Sequence, residues 1–140
     1  MKNILNIMSV ISLISLFIVI IIVGIWELWP YKPLVFNTQT FPVITKTVKQ
    51  GKTLMYTSNY CKYSDKLPLV SRTFADEILF ATPIITANRP LGCNIITITI
   101  DVPQELPPGV YHLENTYTFQ VNPLRTVVVR EKSDNFTVIE

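Results

Sequence analysis

The sequence predicts a β-sandwich domain carried behind one N-terminal transmembrane helix. The first ground is where the hydrophobicity lies. The chain has 140 residues, 49% hydrophobic and 16% charged, with a mean hydropathy of +0.35. Residues 1–26 nevertheless hold a single charged side chain, Lys2, while the other 114 residues hold 21 of the 22 Lys, Arg, Asp and Glu. The second ground is composition: ten prolines and four glycines among abundant Ile, Val, Thr and Tyr suit short strands and turns rather than helices. The third is a change of period, because after Trp26 two-residue alternation replaces unbroken apolar sequence. Without the apolar head about 110 residues remain, enough for one small core and not for two. A net charge of +2 excludes a strongly basic nucleic-acid binder.

Residues 3–26 are 24 consecutive uncharged positions. As a helix they span about 35 Å, against about 30 Å of hydrocarbon in a bilayer. Trp26, Trp29 and Tyr31 gather at the end of the run as interfacial anchors, since amphipathic rings favour the headgroup layer. Pro30 and Pro33 stop the helix and stiffen its exit. A cleaved signal peptide has a shorter apolar region and a small-x-small site, whereas here the exit reads Ile22-Val23-Gly24-Ile25-Trp26. The first cysteine, Cys61, lies too far along for a lipoprotein signal, and neither a basic leader nor an early Glu marks a pilin-type head. The run therefore reads as an uncleaved signal anchor.

Lys2 favours a cytoplasmic N-terminus, although Lys32 dilutes the asymmetry, and both cysteines lie beyond the helix. The expected location is that of a single-pass inner (plasma) membrane protein with its C-terminal domain periplasmic or extracellular. Residues 1–29 are read as the anchor, 30–41 as a juxtamembrane linker and first strand entry, and 42–140 as the ectodomain. Asn6, Ser9, Ser12 and Ser15 recur every third residue. Such a ridge either packs against another helix, a second copy included, or bonds its own backbone.

Beyond Lys32 short alternating runs follow one another. Residues 43–48 come first, closed by Gln50-Gly51-Lys52, and 53–62 follow with Tyr56 and Tyr60 on one side and Met55 and Cys61 on the other. Residues 69–80 read as two strands or one bent strand, and 84–87 as a short one before the loop at 88–92. The clearest strand is 93–102, with Ile96, Ile98, Ile100 and Val102 on one face and Thr97, Thr99 and Asp101 on the other. In 111–122 the residues Tyr111, Leu113, Tyr117, Phe119 and Val121 share a face on which Asn115 is the polar exception. Residues 125–130 and 135–139 supply the last strands. Turns at this spacing argue a sandwich.

Leu106-Pro107-Pro108-Gly109-Val110-Tyr111-His112-Leu113 resembles the corner leading into the penultimate strand of immunoglobulin-like domains. The likeness covers about a third of the domain, and it departs from the usual pattern at Leu113, where many such domains carry a cysteine. It implies an immunoglobulin-like antiparallel sandwich of about seven strands. Pro107, Pro108, Gly109 and Tyr111 would form a structural corner, with Gly109 supplying an unusual dihedral and the Tyr111 hydroxyl bonding backbone within residues 101–109. In overall plan the chain also resembles small single-pass envelope proteins of bacteria and their phages.

In that topology the strand closed by Cys61 and the strand opened by Cys93 are antiparallel neighbours, which implies a disulfide between them. Closing a loop of about 33 residues contributes roughly 3–4 kcal/mol in the chain-entropy model. Two free thiols are the alternative for a domain facing the cytosol. Charge divides unevenly: residues 32–72 carry seven basic side chains against Asp65, and 73–140 carry four against eight carboxylates. Such a basic first half can rest on anionic lipid, unless the strands mix the two signs in space.

Catalytic chemistry finds little footing. His112 is the one histidine and alternates away from Tyr111 and Leu113, so it faces solvent. One histidine and two distant cysteines do not assemble a zinc site, and no phosphate loop or nucleophile elbow is present. Asp76 and Glu77 are adjacent, which on a strand points them to opposite faces. Asn135-Phe136-Thr137 fits a glycosylation sequon, with Phe136 read as a strand anchor. The sequence thus predicts neither an enzyme nor a cofactor. It predicts a membrane-anchored binding or scaffolding module of a cell-envelope or phage-encoded envelope complex. Its partners are the lipid bilayer and a protein within the membrane or on its outer face. The alternative is a lysis-related or membrane-permeabilising protein whose disulfide-bonded outer domain regulates helix clustering.

Overall fold

The computed structural model describes residues 2–76 and 79–140, with side chains from residue 7 onward. Helix α1 (Lys2–Leu28) is followed by strands β1 (Leu34–Phe36), β2 (Thr40–Phe41), β3 (Thr47–Lys49), β4 (Thr53–Lys62), β5 (Leu69–Ala75) and β6 (Leu79–Ala81). Then come β7 (Ile85–Thr86), β8 (Gly92–Asp101), β9 (Gly109–Asn122), β10 (Arg125–Ser133) and β11 (Phe136–Ile139). The protein is mostly β behind one apolar helix. That helix runs uninterrupted because it holds no proline, and it stops just before Pro30.

A small sheet, β1-β4-β8, is antiparallel throughout. The larger sheet runs β2-β10-β9-β11-β3, with β5 against β9 and the short β6 and β7 against β5. It curls into a half-barrel over the small sheet. Strand β9 pairs with β5, β10 and β11, so its alternating face supplies much of the interior. Tyr111, Leu113, Asn115, Tyr117 and Phe119 are all buried. They meet the even-numbered residues of β4, among them Leu54, Tyr56 and Tyr60. A main cluster around Leu54, Phe74, Leu106, Leu113 and Phe136 fills the end far from the helix, and a smaller one around Leu34, Val70 and Phe119 fills the near end.

The purely antiparallel expectation needs correction. Strand β2 lies parallel to β10, in the register Lys132↔Thr40, and β3 lies parallel to β11, in the register Thr137↔Thr47. The cause is a change of partner in the first segment of the domain. Ile44 N–H still donates to Met55 O at 2.8 Å on β4, while three residues on the chain has crossed to the free edge of the last strands and runs beside them. Residues 43–48 therefore form no single strand: Val43 makes an isolated bridge to Tyr56, and regular pairing begins at Thr47. Within residues 30–41, read as linker and first strand entry, fall β1 and β2, which pair with β4 and β10.

Candidate functional site

The described domain is fastened to the helix at one end. The turn joining β9 to β10 brings Arg125 under α1, where Nη1 donates to Trp29 O at 2.6 Å and to Trp26 O at 3.5 Å. Asn122 Nδ2 adds a bond to Trp26 O at 3.4 Å. The last carbonyls of a helix have no intrahelical donors and carry partial negative charge, so a guanidinium there satisfies both needs. Tyr63 N–H donates to Pro33 O at 2.9 Å, which ties the 63–68 loop to the same exit. Trp26 and Trp29 are exposed around this junction, and Tyr31 is half-buried. Along the helix Ser9, Ser12 and Ser15 are exposed, and the Ser15 hydroxyl donates to Ser12 O at 2.9 Å within its own backbone. The Asn6 side chain and Glu77 lie outside the described residues.

Cys61 and Cys93 are bonded, with an S–S distance of 2.04 Å, and face each other directly in the β4–β8 register. At the opposite end of the domain, the Tyr111 hydroxyl donates to Pro107 O at 3.0 Å. Gly109 does not take the positive φ expected of it; among the described residues only Gly51 and Gly92 do. Its role is close approach instead, because a Cβ there would sit 3.2 Å from the Tyr111 ring. His112 is half-buried rather than free in solvent, and its Nε2 lies 3.2 Å from the Glu114 carboxylate. Phe136 is 2% exposed and anchors the core from within the Asn135-Phe136-Thr137 triplet.

Between the sheets lies a buried polar cluster that the sequence barely hinted at. Arg89, from the loop before β8, is 6% exposed and meets Glu131 of β10 at 3.2 Å. Arg89 Nη1 donates to the Ser58 hydroxyl at 2.9 Å and Nη2 to the Tyr117 hydroxyl. The Tyr117 hydroxyl donates in turn to Glu131 Oε1 at 2.5 Å, joined there by Asn115 Nδ2 at 2.9 Å, while the Ser58 hydroxyl reaches Oε2 at 3.0 Å. The guanidinium also lies over the rings of Tyr60 and Tyr117, each 4.7 Å away, a favourable placement for a cation. Burial, reinforced by the nearby Glu131 charge, pushes the Tyr117 phenol above its ordinary range. Burial does the same at Tyr56 and Tyr60. Lys62, whose Nζ donates to Arg89 O at 3.0 Å, is held below its ordinary value by burial.

One flank beside this cluster is open. Two cavities separate the edge of β8 from β5 and β7. One, of about 190 Å³, is bordered by Ile96, Ile98, Ile85, Arg89 and Tyr117; the other, of about 300 Å³, is bordered by Ile100, Ile85, Thr82, Pro83, Thr99 and Asp101. Arg72 borders both, and its buried Nε has no acceptor among the described residues.

No protein-family model and no curated protein matches the chain. Among solved structures it is similar to a segment of a beta-glucosidase from Listeria innocua, crystallised with glucose, at 12% identity and a TM-score of 0.37. The likeness covers 76% of this chain and 16% of that one. At that distance it says nothing of activity. An N-terminal apolar helix, as signal or anchor, together with a disulfide, does point to a membrane or secreted location.

Proposed function

We propose that the protein is a membrane-anchored binding or scaffolding module of a cell envelope. An immunoglobulin-like domain is held at the bilayer by one uncleaved helix, with the N-terminus in the cytoplasm and the β domain in the periplasm or outside. The observation that carries this reading is the junction. The span Ile7–Leu28 contributes nothing to the protein interior, yet Arg125 of the folded domain donates to Trp29 O just beyond its end and to Trp26 O within its last turn. That contact supports a helix that stays with the mature domain. The immunoglobulin-like reading draws support from strand order, with β1-β4-β8 facing β5-β9-β10, and from the Tyr111 corner. A domain of this kind works through its loops and sheet edges.

The test is fractionation and topology of the full-length chain. Met1 is expected to remain on the mature protein, which should resist alkaline carbonate extraction. Protease added from the outer side should digest the domain and spare the helix. Expression should leave the membrane potential intact, whereas a permeabilising protein would collapse it. A mature N-terminus beginning near Trp26 would overturn the anchor, and a protected domain would reverse the orientation.

A further inference from the structure

Strand β8 ends the small sheet, and among the described residues its second edge is unpaired. One hydrogen bond fixes which groups lie on that edge. Val102 N–H donates to Lys52 O at 2.9 Å, and the β4–β8 register runs without a shift from Thr53↔Asp101 to Lys62↔Gly92. Backbone groups alternate sides along a strand. The even-numbered residues of β8 therefore bond β4, and Ile95, Thr97 and Thr99 present their N–H and C=O groups to the open flank. Their side chains point outward, Ile95 being 70% exposed. The inward row of Ile96, Ile98 and Ile100 fronts the two cavities that Arg72 borders.

This edge also lacks the guards that two other edges carry. The outer edge of β10 carries Arg125 and Arg130, and β1 follows Pro30 and Pro33, the charges and prolines that discourage unwanted pairing. Residues 93–100 contain neither a charge nor a proline. An exposed, uncharged, β-branched edge of this length invites another strand.

We infer that β8 is the docking edge for an extended segment of another polypeptide, which pairs with it as an added strand. Every second side chain of that segment enters the gap: apolar ones fill the two cavities, and an acidic one between them meets Arg72. Main-chain bonding supplies affinity in such complexes, and alternate pockets choose the sequence. The inference rests on the scaffold reading and names its partner. A second copy of β8 is a poorer occupant, because its inward row of Asn94, Ile96, Ile98 and Ile100 brings no carboxylate to Arg72.

The test uses the full-length chain in detergent micelles and a fluorescent peptide alternating valine with threonine, with one central valine replaced by aspartate. Binding should slow hydrogen exchange at the amides of Ile95, Thr97 and Thr99, while those of Ile96 and Ile98 are already slow. Thr97→Pro removes an edge donor without touching the β4 ladder. It should weaken binding by about tenfold and leave the melting temperature unchanged. Arg72→Met should abolish the preference for the aspartate peptide over the all-valine one. Undiminished binding by Thr97→Pro, or no new protection on the odd-numbered amides, would overturn the inference. So would a dimer of the free protein that Thr97→Pro disperses, since a second copy would then be the occupant. Failure to bind by a chain that fractionates as an integral protein removes this inference alone. Binding by a chain that is not anchored removes the scaffold reading and keeps the edge site.

Discussion

Glu131 is the residue on which most of the buried cluster converges. Its carboxylate accepts from Arg89, Ser58, Asn115 and Tyr117 and is itself 5% exposed. Glu131→Gln keeps the shape and removes the countercharge, leaving a buried guanidinium unpaired, and is expected to cost about 3–5 kcal/mol. Arg89→Met combined with Glu131→Met should cost less than the sum of the single changes, since no lone charge is then left. Chemical denaturation of the four proteins measures both. Tyr111→Phe loses one hydrogen bond and no volume, for about 0.5–1.5 kcal/mol, and Tyr111→Ala about 3–5 kcal/mol. Tyr117, Tyr56, Tyr60 and Tyr111 have folded-state pKa values raised by burial. The unfolded chain thus releases these protons first, so their stability is whole below pH 10 and lost as pH rises beyond it. Lys62, shifted downward, works the other way and is spent by about pH 10.5. The melting temperature should therefore fall above that pH, and less steeply in Tyr117→Phe. Of this cluster Tyr117 and Asn115 were legible, as residues of one strand face with Asn115 its polar exception. Arg89 sat in an unremarkable loop, and Glu131 lay one residue beyond the strand as read. Its odd-numbered position, after Val127 and Val129, was the signal available.

At the scale of elements, alternation was a sufficient guide to the long strands, whose pairing runs without a break. Strands β4 and β8 run ten residues each, from Thr53 and Gly92 respectively, within a residue of the bounds read from sequence. It failed at residues 43–48, because a change of partner leaves no mark in a two-residue period. The same crossover explains the parallel pairs, which depend on where the chain goes and not on which side chains it carries. The disulfide closes a separation of 32 residues between two of the longest strands. Replacing both cysteines by serine is expected to cost about 2–5 kcal/mol. Cys93→Ser alone should match the double replacement, which equilibrium unfolding with and without a reductant resolves. Alkylation of the native protein should leave both sulfurs unmodified until reduction.

For the whole molecule, folding brings some of the early lysines to acceptors late in the chain. Lys46 pairs with Asp134 at 3.5 Å, Lys49 Nζ donates to Glu140 O at 2.8 Å, and Lys66 Nζ reaches Gln120 O at 3.0 Å. Lys46 and Lys49 reach these partners because β3 runs beside β11. The Arg125 cap carries a mechanical meaning of its own. A helix joined to a domain by its chain alone can spin beneath it. Here the chain at residues 30–33 and the guanidinium of Arg125 grip the helix end at two separate places. If the helix is the membrane anchor proposed above, torque on it within the bilayer would reach the β9–β10 hairpin through this second grip.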